Sequence, residues 1–171
     1  IARTGKASFR EAALFTHRGL SGPAILQISS YWRHGQPIAI DFLPDRAPGW
    51  LVEAKRANPR AGLSALLKDE LPARLAAALV ERLAFDGRLA DLADARLRAA
   101  EERLARWTFM PDGTEGFAKA EVTAGGISTA ELSSQTMEAR KVQGLYAIGE
   151  AVEKMLQIGI NTLSFARVGA F

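Results

Sequence analysis

Apolar positions along the chain fall into three differently spaced blocks. Up to about residue 45 the apolar runs are short and bounded by turn residues, so "EAALFTH" (11–17) and "PIAIDFLP" (37–44) are predicted as strands. Between them, "RGLSGPAILQISSYW" begins with Gly19, Ser21, Gly22 and Pro23 and continues apolar. Ser21 as a cap and Pro23 in a first turn predict a short buried helix from Pro23 to Tyr31. From 46 to 106 the spacing becomes helical. Leu63, Leu66, Leu67 and Leu71 share one face, Leu75, Leu79 and Leu83 recur every fourth residue, and Leu97, Ala100, Leu104 and Trp107 follow the same rule. Pro59, Pro72 and Gly87 interrupt this block, which gives three or four helices with Arg- and Glu-rich outer faces. From Trp107 onward strand and turn signals return. "GLYAIGE" (144–150) is predicted as a buried strand, and "NTLSFARVGAF" (161–171) as a final helix capped by Asn161 or Thr162. Strands interrupted by helices and then resumed predict residues 1–45 and 107–141 as one layer carrying a helical insertion, 46–106.

Composition narrows the class. The 171 residues, 48% hydrophobic and 24% charged, suit an ordinary globular chain of one domain, or one plus a small insertion. The net charge of +3 permits an acidic partner without requiring one, and neither nucleic acid nor membrane is expected as a partner. There is no cysteine, which excludes disulfides and thiolate metal sites and fits a reducing, cytoplasmic setting. No apolar run is long enough to span a bilayer as a helix. The chain begins at Ile1 rather than Met, which fits a processed product or a piece of a longer protein.

Candidate chemistry is sparse. His17 and His34 are the two histidines, and no His/Asp/Glu grouping has metal-ligand spacing, so no metal site is expected. His17, after a strand and before a Gly-rich turn, reads either as a base or flavin neighbour or as a structural histidine bonding that turn. Ser21 fails the nucleophile-elbow spacing because Pro23 stands where the last glycine belongs. Gly125 and Gly126 in "TAGGIS" leave backbone bare for a ligand, or form a bulge or tight hairpin. The strongest pair is Gly149-Glu150, at the carboxyl end of an apolar run where an acid can accept hydrogen bonds from ribityl or ribose hydroxyls. Gly159, Asn161 and Thr162 would then offer backbone N–H groups at a helix start. The competing reading makes Glu150 a surface residue after a core strand.

The segments "LFTHRGLSGPAILQISSYW", "WTFMPDGTEGFAKAEVTAGGIS" and "SSQTMEARKVQGLYAIGEAV", in this order and spacing, resemble the BaiN/RdsA-like NAD(P)/FAD-dependent oxidoreductases, a group that includes aminoacetone oxidase-like flavoproteins. The resemblance runs to Val152. It implies an α+β fold. Residues 1–45 and 107–141 would be part of a β-rich, barrel-like insert domain, 46–106 its small helical subdomain, and 142–171 a strand and helix of the returning Rossmann-type FAD domain. It further implies FAD as cofactor, with NAD(P)H as a further candidate, a small-molecule substrate, and the remaining FAD domain as partner. Glu150 would meet ribityl hydroxyls, Gly149 the flavin side, and Gly159, Asn161 and Thr162 the flavin or its phosphates. Thr16, His17, Gly125 and Gly126 would line the substrate side, and no catalytic residue is assigned. After Glu153 the family pattern of a Gly-rich "GGYN" loop, a Gln and aromatics is replaced by a shorter loop with Gly159 and Asn161, then Thr162, Leu163 and Ser164. The G-x-G-x-x-G turn that holds the ADP half of FAD does not occur in these residues. The chain alone is therefore expected to be a non-catalytic portion of an oxidoreductase. The alternative is a structural or interaction module that does not bind FAD.

Overall fold

A computed structural model describes residues 1–116, 126–149 and 152, together with the backbone of 163–164. The fold is α+β, with small antiparallel sheets and five α-helices among the described residues. The chain divides into two compact units.

One unit comprises Ala2–Gln36 and Pro111–Ala166. Its first two strands, β1 (Ala2–Thr4) and β2 (Ala7–Phe9), form a hairpin with Ala2 opposite Phe9. Their two-residue turn uses Gly5 at φ +52. This hairpin was not foreseen, since three-residue strands offer too little alternation to register. The predicted strand at 11–17 contracts to β3 (Leu14–Phe15), paired antiparallel with β4 (Gly19–Ser21). Helix α1 (Pro23–Ser29) follows, shorter than predicted by its last turn. Pro23 opens it as expected, but Ser21 is not its cap. Ser21 is spent in β4, and Gly22 stands at the cap position with φ +88 and no side-chain bond. Gly22 is demanded by space as well as by φ, because a Cβ there would lie 2.9 Å from the Leu14 nitrogen and 3.0 Å from the Ala12 oxygen. Helix α1 packs on β1, β2 and β4, with Leu20, Ile25 and Ile28 fully buried.

The other unit centres on Pro37–Met110. Strands β5 (Ile38–Ile40) and β6 (Trp107–Phe109) pair antiparallel, Ile38 opposite Phe109 and Ile40 opposite Trp107. Four helices fill the sequence between them: α2 (Trp50–Ala57), α3 (Leu63–Glu70), α4 (Ala73–Leu83) and α5 (Asp94–Ala105). They stop where Pro59, Pro72 and Gly87 were expected to break the pattern. Leu63, Leu67, Leu79, Leu83, Leu97, Ala100 and Leu104 are all buried, as their spacing requires. Trp107 is buried too, but as the first residue of β6, so the helical rhythm overruns the helix.

Helices α2 and α5 run antiparallel, clamped at both ends by side chains that periodicity assigns to solvent. Near the start of α2, the buried Glu101 carboxylate accepts the Gly49 and Leu51 N–H groups, each at 2.6 Å, and so caps a helix that has no cap of its own. At its end, Lys55 donates to the Leu92 carbonyl at 2.6 Å and to Asp94 at 2.8 Å. That hydrogen bond, helped by the nearby charges of Lys55, Arg56 and Arg98 and opposed by desolvation, holds Asp94 below the usual carboxylate range.

Candidate functional site

The candidate site belongs to the first unit, where three irregular segments carry the residues that the sequence singles out. After β7 (Gly113–Thr114), Ile127 forms a single parallel bridge with Val152, whose side chain is buried. The Val152 N–H donates to the Gly149 carbonyl at 3.2 Å. Gly126 adjoins Ile127, whose bridge partner Val152 is in turn bonded to Gly149. Both glycines are exposed and hold positive φ, +147 and +74, and no heavy atom lies within 4 Å of a Cβ built on Gly149. Bare backbone of this kind admits the close approach of a flat or phosphorylated ligand. Glu150, Gly125, Gly159, Asn161 and Thr162 lie outside the described residues.

The chain reaches Gly149 through a braced double hairpin. The Ser133 hydroxyl accepts the N–H groups of Gln135 and Thr136, and Met137 adopts φ +62. The Met137 carbonyl accepts from Ala147 at 3.1 Å, and the Glu138 carboxylate accepts the Gly144 N–H at 2.7 Å. Isolated bridges join Leu132 to Ala139 and Glu138 to Tyr146. A non-glycine residue at positive φ costs about 1–3 kcal/mol and persists where its surroundings impose it. Here the surrounding bonds do so. Nothing in the sequence flagged Met137.

Over its described residues, 144–149, the buried strand expected at 144–150 is not formed. Among them only Tyr146 bridges, and Leu145, Tyr146 and Ile148 are 54%, 58% and 74% exposed. A strand becomes buried only when neighbours on both edges take its N–H and C=O groups. Among the described residues these groups are met by the 137–139 segment, the Met137 carbonyl accepting from Ala147 and the Leu145 carbonyl from Ala139. The helix expected at 161–171 is likewise corrected at its only described positions. Leu163–Ser164 is strand β8, lying antiparallel between β4 and β7, with Ser164 opposite Gly19 and Gly113.

Thr16 and His17 belong to a different element, the β3–β4 turn. The Thr16 hydroxyl donates to the Gly19 carbonyl at 3.0 Å and accepts from the N–H groups of Gly19 and Arg18. It is consumed by its own turn, which favours a structural role over substrate contact. His17 is exposed at the tip, and Arg18 pairs with Glu115 at 2.9 Å. No group of three or more metal-ligating side chains occurs among the described residues. No helix among them is long and apolar enough to cross a membrane.

Small antiparallel sheets combined with a four-helix subdomain define an α+β domain of barrel-and-helix type. The family model described as "HI0933-like protein barrel and H2TH domain" matches residues 1–122, and the chain belongs to this family, within the FAD-dependent oxidoreductase superfamily. The chain is 49% identical over 151 residues to a "Ribosomal RNA dihydrouridine synthase" of Escherichia coli, covering 85% of this chain and 37% of that protein. It is 40% identical over 166 residues to the protein of the same name from Haemophilus influenzae, covering 96% and 41%. A "3-dehydro-bile acid delta(4,6)-reductase" of Clostridium scindens is 28% identical over 154 residues, covering 81% and 37%. The chain thus spans about two fifths of the length of these curated relatives.

Proposed function

We propose that this chain is the insert-domain portion of a bacterial FAD-dependent oxidoreductase that reduces uridine in ribosomal RNA. The observation that carries the reading is the pair of relatives bearing that activity in their names, 49% and 40% identical along 85% and 96% of the chain. The bile-acid reductase, at 28%, is more distant, so a steroid-like substrate has weaker support. A ribosomal RNA substrate departs from the small-molecule expectation, which followed from the resemblance, and from the absence of a nucleic-acid partner, which was drawn from a modest net charge. It also gives a reason for a cytoplasmic location.

Dihydrouridine is uridine reduced across its C5–C6 double bond, a change that takes up a hydride equivalent and a proton. Bound FAD would supply the hydride chemistry, and NAD(P)H is the reductant class such a cycle needs. On this reading, the chain's own residues position and shield. The bare backbone at Gly126 and Gly149 lies against the cofactor or the base, and Glu150 accepts hydrogen bonds from ribityl hydroxyls. Gly125 lines the substrate side, and Gly159, Asn161 and Thr162 serve the flavin or its phosphates. Thr16 and His17 shape the neighbouring turn. Residues 142–171 are assigned to the returning FAD domain, 46–106 to the helical subdomain, and 1–45 with 107–141 to the insert domain. The remaining FAD domain is the partner of the exposed apolar side chains Leu145, Tyr146 and Ile148.

The complete protein purified from its host tests this reading. It should keep a flavin spectrum after desalting, lose it on addition of NAD(P)H, and regain it with ribosomal RNA that lacks dihydrouridine. Residues 1–171 alone should stay colourless with added FAD. A complete protein that is colourless, or whose reduced flavin ignores ribosomal RNA, would refute the proposal.

A further inference from the structure

The helical subdomain spends some of its cations inward and leaves others free to meet a ligand. Arg46 pairs with Glu70 and lies 5.5 Å from the Trp50 ring centre. Arg96 bonds the Ala84 carbonyl and covers Phe85, and Arg103 bonds the Arg82 carbonyl and covers Trp107. Arg56, Arg60 and Arg98 are exposed and bond no carboxylate among the described residues.

These three arginines converge on one place. Arg56 is in the last turn of α2, beside Lys55, which reaches across to Asp94 at the start of α5. Arg98 lies one helical turn further along α5, about 6 Å up the axis, and both Arg56 and Arg98 are close enough to Asp94 for their charges to help lower its pKa. Arg60 sits in the turn after α2. That turn is held against the segment leading into α5, because the Pro59 carbonyl accepts from Ala90 at 2.9 Å and the Ala61 carbonyl from Leu89 at 2.8 Å. Arg88, in the same segment, is paired with Asp91. Five cations (Lys55, Arg56, Arg60, Arg88 and Arg98) thus lie in these segments, where Lys55 and Arg88 already engage the carboxylates of Asp94 and Asp91. Glu53, Glu101 and Glu102 are the further acids on these helices, and Asp86 precedes Arg88; Glu101 is spent on the Gly49 and Leu51 N–H groups, and none of the four bonds Arg56, Arg60 or Arg98 among the described residues. The exposed residues between the arginines are small or polar, Ala57, Asn58, Ala95 and Ala99, with no ring on which a base could stack.

We infer that the α2–α5 end of the helical subdomain is a docking surface for the phosphodiester backbone of RNA, with Arg56, Arg60 and Arg98 as its phosphate contacts. The inference rests on the ribosomal RNA reading above and adds to it the surface that would hold the substrate away from the reacting base. Exposed guanidinium groups without carboxylate partners match phosphate oxygens, and their charge is delivered without breaking an internal ion pair. The absence of rings predicts contacts that position the RNA without reading its sequence.

Binding of the complete protein to ribosomal RNA purified from a strain lacking the protein, measured across a salt series, tests the surface. Combined Arg56→Gln, Arg60→Gln and Arg98→Gln should weaken binding roughly tenfold to a hundredfold and make the slope of log affinity against log salt shallower by about 2–3. Replacing the same three residues by Lys should restore most of both. Unchanged affinity and slope in the Gln variant would overturn the inference, as would a Lys variant as defective as the Gln one, since charge would then not be what matters. If the unaltered protein neither binds nor modifies this RNA, the functional reading itself fails and takes the surface with it. That result differs from failure of the variants alone.

Discussion

The helical subdomain and the segment from Gly126 to Gly149 are built on opposite principles. The first closes on itself: α2 to α5 bury a continuous set of leucines, and its two outermost helices are clamped by Glu101 and Lys55. The second is well bonded along its backbone yet leaves Val142, Leu145, Tyr146 and Ile148 at least half exposed. Hydrogen bonds there fix a shape without burying its apolar surface. The difference teaches that local bonding and burial are separable, and that a segment can be ordered by the first while awaiting a partner for the second.

The sharpest way to break this contrast is paired truncation in residues 1–171. Leu97→Ala, at a fully buried position, should cost about 2–5 kcal/mol in urea unfolding. Ile148→Ala, 74% exposed, should stay within about 0.5 kcal/mol. Equal costs would erase the distinction. In the complete protein the second value should rise, because the FAD domain then covers Ile148.

Next comes the clamp. Glu101→Ala leaves the Gly49 and Leu51 N–H groups without an acceptor and should cost about 2–3 kcal/mol. Glu101→Gln keeps one acceptor oxygen and should cost less. Equal stability of all three proteins would show that α2 does not need this cap.

How much of this was legible follows from the range of each signal. Helices declare themselves through repeats within one chain segment, so Leu63, Leu67, Leu79 and Leu97 could be placed inside from spacing alone. Glu101 could not, because its partners are some 50 residues away and its neighbours Arg98 and Glu102 mark that face as solvated. "GLYAIGE" has the composition of a buried strand, but burial depends on neighbours that no local pattern contains. Ser21 illustrates competition: as a cap it was a sound choice, yet pairing with Leu14 removed it, and the crowding around Gly22 left no room for a side chain. At the candidate site, Gly126 was legible as bare backbone and Gly149 as half of a strand-end Gly-Glu pair. The link between their segments through Ile127 and Val152 was not.

That crowding supplies a third comparison, between two glycines at positive φ. Gly22→Ala meets backbone atoms at 2.9 and 3.0 Å as well as the φ penalty, and should cost about 2–3 kcal/mol or more. Gly149→Ala meets open space and should cost only about 1 kcal/mol. In the complete protein, however, Gly149→Ala should lower flavin retention, the signature of a site rather than of a fold. Loss of stability without loss of flavin would reverse that assignment.

The smallest effect concerns Asp94. Its pKa is lowered on folding, so the native state binds fewer protons than the unfolded chain. The stabilisation is present above the unfolded carboxylate value of about 4 and fades as pH falls through and below it. Comparing acid unfolding of the natural chain with Asp94→Asn should show a slightly flatter pH dependence in the variant. A steeper one would contradict the sign.

The central claim is that the complete protein makes dihydrouridine in ribosomal RNA. Mass spectrometry of nucleosides from purified ribosomal RNA tests it most directly, in the host strain, in a deletion strain, and in that strain resupplied with the complete protein. Dihydrouridine should be present in the first, missing from the second and restored in the third. An unchanged dihydrouridine content after deletion would contradict it.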